Sequence, residues 1–179
     1  MKRKRIVLII LAAVIAILVV VIALRFVLPK RLSVQMLKNG DVFQLEDLKW
    51  GASELQTTFY WGRSMKPNGY QIQMPENEEV LLSANSCVLD GQKANVFFQF
   101  RDDKLYLINF TFKSLESSDW ITEQLEALRN VYGEEHEYKQ AGSKDRRYIW
   151  HGEDSMLQAL VFPDRLGEQL QIVICLPQT

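Results

Sequence analysis

The 179-residue chain has 21 Lys and Arg against 22 Asp and Glu, for a formal net charge of −1. That balance hides a division, because seven basic residues lie within positions 1–31 while all the acidic residues lie beyond them. Residues 32–179 hold 14 basic and 22 acidic residues, a net −8, which is a poor match for nucleic-acid phosphates and excludes nucleic acid as the expected partner.

The basic cluster Lys2-Arg3-Lys4-Arg5 precedes Ile6–Leu24, an unbroken run of Ile, Leu, Val and Ala. At about 1.5 Å per residue such a run reaches roughly 28 Å, close to the ~30 Å hydrocarbon core of a bilayer. It is longer than a signal-peptide core, and its exit through Arg25 to Arg31 lacks an Ala-x-Ala-like cleavage site. The expectation is therefore an uncleaved single-pass anchor in contact with membrane lipid over residues 6–28. The excess of basic residues at the N-terminus gives a cytoplasmic tail at residues 1–5. Residues 29–44 then read as a juxtamembrane segment and residues 45–179 as an exported, extracytoplasmic domain at the cell membrane.

Asn39-Gly40 separates Val34–Leu37 from Val42–Leu45 as a candidate hairpin. Ser53-Glu54-Leu55-Gln56 has the form of a capping box, Leu55 and Phe59 share a face at i, i+4, and Gly62 is placed to close the helix. Asp90-Gly91 marks a tight turn between strands over Ser86–Leu89 and Lys93–Phe100, and Leu105–Phe112 alternates as the next strand. A second helix starts from Ser118 as N-cap with Asp119 at its positive end. It carries Ile121, Leu125, Leu128 and Tyr132 on one stripe, and Gly133 closes it. Strands over Arg146–His151, Met156–Phe162 and Leu170–Leu176 complete the chain. The expected fold is α+β: the N-terminal transmembrane helix, then an antiparallel sheet with two covering helices. The order helix, strands, helix, strands suggests two pseudo-repeated halves.

Trp50-Gly51-Ala52-Ser53, following Leu45 to Lys49, and the later Tyr132-Gly133 resemble the helix entry and exit of small exported domains of the β-lactamase-inhibitor-protein-like type. That group also includes the small outer-membrane assembly lipoproteins. The resemblance implies a helix-covered antiparallel sheet used for protein binding without catalysis. This chain departs from the lipoproteins in its expected anchor and in having no lipid-modified cysteine, so none of their functional residues is transferred.

Signals for catalysis are sparse. His136 and His151 are the two histidines, and Cys87 and Cys175 the two cysteines. A Cys-His hydrolase could be assembled from them, but no local motif supports one. Zinc-ligand spacing and glycine-rich phosphate loops are both absent, so neither metal nor cofactor is expected. Cys87 and Cys175 are compatible with a disulfide and equally with two buried thiols.

Aromatic residues carry the functional expectation. Arg146, Tyr148 and Trp150 alternate onto one face of a strand, and Phe97 sits between Asn95 and Gln99 on another. Such rings either close a core or form an exposed Trp/Tyr/Arg patch of the kind favoured at interfaces. If Phe97, Arg146, Tyr148 and Trp150 share the face away from the helices, they form the expected partner site. The function so read is a membrane-anchored binding module for another envelope protein, with an envelope glycan as the alternative ligand.

Overall fold

The computed structural model describes residues 2–27, 29–62, 66–67, 79–112, 119–141, 145–164 and 167–177. Ser118, the expected N-cap of the second body helix, lies outside them.

The chain opens with helix α1, Lys2–Val27. Among the described residues no helix is long and apolar enough to cross a membrane. This overturns the expected single-pass anchor, and with it the assignment to the cell membrane with a cytoplasmic N-terminus.

A continuous nine-stranded sheet forms the body. Strand β1, Arg31–Leu32, is followed by a 3-10 turn at Val34–Leu37 and a small hairpin of β2, Lys38–Asn39, and β3, Val42–Phe43. Helix α2, Glu54–Trp61, and strand β4, Lys66–Pro67, lead into a meander of β5, Glu79–Leu89, β6, Gln92–Arg101, and β7, Lys104–Phe112. Helix α3, Asp119–Tyr132, then precedes a second meander. Its strands are β8, Glu137–Ala141, β9, Asp145–His151, β10, Met156–Asp164, and β11, Gly167–Cys175.

The sheet order is β1-β5-β6-β7-β11-β10-β9-β8, with β4 paired to β5. Because β1 runs parallel to β5, the sheet is mixed, which corrects the antiparallel expectation. The reason is local: β1 is two residues long and enters beside the end of β5. There the Val88 amide donates to the Lys30 carbonyl and the Asp90 amide to that of Leu32. The two meanders, each preceded by a helix, meet where β7 pairs with β11 and so form one sheet.

Turn chemistry sets the strand boundaries. Asp90 and Gly91 both adopt positive φ, 44° and 83°, and Asp102 and Asp103 do the same at the next turn, as two-residue hairpin loops require. The first hairpin turns through Gly40-Asp41 one residue later than expected, pairing Asn39 with Val42. Its Val34–Leu37 arm is a 3-10 turn, not a strand.

The core lies on one face of the sheet. Val96, Phe98 and Phe100 from β6 and Ile108, Phe110 and Phe112 from β7 are all essentially inaccessible. The helices meet that face through aromatic contacts, with Trp61 edge-on to Phe98 at 5.2 Å and Trp120 against Phe112 at 4.8 Å. Leu32, Val34, Leu37 and Phe43 belong to the same core, so the domain's packing includes the segment read as juxtamembrane. The small hairpin is fastened by the Phe43 amide, which donates to Ser155 Oγ at 2.6 Å, and by the Glu153 amide, which donates to the Asp41 carbonyl.

Candidate protein-binding site

The four residues expected to form one patch are divided by the sheet. Tyr148 and Trp150 are 7% and 1% exposed and belong to the core, whereas Phe97 alternates with core residues and is half-buried on the opposite face. Strands β6 and β9 are also four strand spacings apart, about 19 Å. Trp150 is structural, because its indole N–H donates to the Gly133 carbonyl at 2.9 Å and ties the end of α3 to the sheet. Arg146 is half-buried and paired with Glu168 at 2.6 Å. No shared surface joins the four.

The cysteines are equally separated. Cys87 is in the core and Cys175 alternates onto the other face of the sheet, and both are free thiols. Three strand spacings, about 14 Å, divide β5 from β11, twice the Cα separation a disulfide can bridge. Burial pushes the Cys87 thiol up to about 12 and also raises that of Cys175, the reverse of what an activated nucleophile needs. His151 lies two strands from Cys175, with Met156 between them in register, beyond the reach of a proton transfer. Among the described residues no three His, Cys, Asp or Glu side chains group to hold a metal ion.

The histidines instead stack on each other, ring centroids 5.7 Å apart. The His151 backbone N–H donates to His136 Nδ1, and His151 Nε2 faces Glu137 at 2.8 Å. Lys139 at 2.6 Å and His151 together hold the Glu137 carboxyl below its usual range. This is an exposed polar cluster against the edge strand β8.

A different surface emerges at α2. The capping box forms as expected, Ser53 accepting from the Gln56 amide and Gln56 from the Ser53 amide, and Gly62 closes the helix in the left-handed conformation at φ 74°. The face shared by Leu55 and Phe59 is the outer one. Thr57 and Trp61 point into the core, while Leu55 and Phe59 are 79% and 75% exposed. An eight-residue helix with apolar side chains at both 55/59 and 61 offers two candidate faces. Trp61, the larger ring, takes the core.

Beside the outward face runs a groove of about 790 Å³, lined by Trp50, Leu55, Phe59 and Tyr60 with the loop from Asp47 to Ala52. Its walls are held from behind. The Trp50 indole donates to the Phe43 carbonyl at 3.0 Å, the Gly51 amide to the Leu105 carbonyl, and the Leu105 amide to that of Ala52. The Glu54 amide donates to Asp103 at the β6–β7 turn. Lys30 lies over the Tyr60 ring, 3.2 Å from its centroid, and donates to the Tyr60 carbonyl. The result is an apolar concavity with a hydrogen-bonded backbone, rimmed by Asp47, Lys49 and Gln56. The sequence signal for it was Trp61 immediately before the closing glycine, since a large ring at that position competes with Leu55 and Phe59 for the core.

No protein-family model matches the chain, and no curated protein matches it. A DUF4309 family protein, YjgB, from Bacillus subtilis subsp. subtilis str. 168 is similar in structure at 10% identity and a TM-score of 0.40, over 67% of this chain and 76% of that one.

Proposed function

We propose that this chain is a non-catalytic protein-binding module whose partner seats in the groove beside α2. The observation that carries the reading is the outward exposure of Leu55 and Phe59 above a groove lined by Trp50 and Tyr60. Large apolar and aromatic side chains at a concave surface, with a polar rim, are the composition of interface hot spots. The Trp50 ring, held by its bond to the Phe43 carbonyl, is ordered before association and so loses little further entropy. The protein-binding role implied by the Trp50-Gly51-Ala52-Ser53 resemblance points the same way.

A photoreactive phenylalanine analogue placed at position 59 in the full chain, illuminated in cells, should trap a discrete protein adduct. The same analogue at Phe97, on the far face of the sheet, should not trap that partner. Equal trapping at both positions would sink the assignment of the groove. Retention of the purified protein on cell-wall polymer, lost on Trp50→Ala, would favour a glycan ligand over a protein.

A further inference from the structure

At the other end of the sheet, β8, β9 and β10 enclose a second cleft of about 470 Å³, which shares no residue with the α2 groove. By strand alternation Leu160 and Phe162 form an apolar floor on the face that carries Lys139, Arg147 and the acid Asp145, while Arg146, Val161 and Pro163 border the cleft from the other face. Arg146 is already engaged by Glu168 and Lys139 by Glu137, each at 2.6 Å. The Arg147 guanidinium, exposed, has no hydrogen bond or ion pair to any described residue. Register places Lys139 directly opposite Arg147, with Leu160 on Arg147's other side. Like charges directly opposite one another on a sheet work against pairing, and here they stand on an otherwise acidic body.

We propose that this cleft binds an acidic segment of a partner protein that carries an aromatic or aliphatic residue beside its carboxylate. The carboxylate takes the two-pronged hydrogen bonds of the Arg147 guanidinium. Its charge also relieves the repulsion from Lys139. The neighbouring apolar side chain lies on Leu160 and Phe162, where it leaves water. Charge complementarity selects the ligand, because the body as a whole repels acidic chains while this end offers a cation above an apolar floor. The inference stands independently of the groove at α2.

The probe is a short fluorescein-labelled peptide alternating Glu and Phe, titrated with the full chain and read by anisotropy, beside a control peptide with Lys in place of Glu. The Glu peptide should saturate and weaken as salt is raised, and the Lys peptide should not bind. Arg147→Glu should weaken binding by about 10-fold or more and Arg147→Gln by less. Arg147→Glu should leave the melting temperature unchanged or higher, because it turns a like-charge pair with Lys139 into an opposite-charge one. The double variant Leu55→Ser with Phe59→Ser should bind the Glu peptide as the parent does. Absence of saturation, equal binding of the Lys peptide, or full affinity in both Arg147 variants would overturn the assignment.

Discussion

Helices α2 and α3 begin from similar sequence signals and end in opposite relations to the core. The stripe read on α3, with Ile121, Leu125 and Leu128, is the one it buries, and Tyr132 below them donates to the Val34 carbonyl. The corresponding pair on α2, Leu55 and Phe59, faces outward while Thr57 and Trp61 go in. The difference lies in length. Fourteen residues of α3 repeat one apolar face over several turns and leave a charged face opposite. Eight residues of α2 carry apolar groups on two sides, so the periodicity argument has two answers and side-chain volume decides between them.

That contrast can be broken by substitution. Trp61→Ala should destabilise by about 3–5 kcal/mol, the range for truncating a buried large aromatic, whereas Phe59→Ser should change stability by no more than about 0.5 kcal/mol; thermal and denaturant unfolding of the two variants would measure both. Trp150→Ala belongs with Trp61, because it also removes the donor to the Gly133 carbonyl. If Trp150→Ala melted like the parent, the placement of that ring in the core would be wrong.

A smaller effect is expected where the first hairpin docks. A Cβ on Gly152 would sit 2.5 Å from the Asp41 carbonyl oxygen, so Gly152→Ala should cost about 1–3 kcal/mol, the usual range for overpacking. Smaller again is the α2 cap: Ser53→Ala removes the acceptor for the Gln56 amide and should cost about 1 kcal/mol.

The smallest effect concerns α3 and pH. Arg129 binds Glu135 through two nitrogens, at 2.9 and 3.0 Å, and that hydrogen bond holds the Glu135 carboxyl below its usual range against a smaller opposing effect of burial. A carboxyl whose pKa is depressed by folding stabilises the protein above its unfolded value, about 4.3, and the contribution is lost as pH falls through the folded value. Glu135→Gln should therefore lower stability by up to about 1 kcal/mol at neutral pH and converge with the parent in acid. A constant offset from pH 7 to pH 3 would show that the ion pair contributes nothing.

Much of the strand arrangement was legible because alternation and turn chemistry agree. Val96, Phe98 and Phe100 alternate beside Asp90-Gly91, and Met156 to Phe162 and Leu170 to Cys175 are strands close to where their patterns place them. Strand β8 was not legible, since Tyr138, Lys139 and Gln140 at an open edge are all exposed and show no buried alternation. The parallel pairing of β1 rests on two residues and a contact nearly sixty positions away, beyond any local pattern. The partner residues failed for a related reason. Alternation within β6 and within β9 separates two faces of each strand but does not say which face meets the helices. Register through β7, β11 and β10 lines Phe97 up with Ile149 and so puts it on the opposite side from Trp150.

The central claim is that the outward face of α2 is held in place for a partner. Its most direct test is the double variant Leu55→Ser with Phe59→Ser, scored in parallel for melting temperature and for capture of the protein trapped at position 59. The expected result is a loss of capture of about 10-fold or more, as for removal of hot-spot side chains, with the melting temperature within about 2 °C of the parent. Undiminished capture, or a melting temperature that falls as it does for Trp61→Ala, would contradict it.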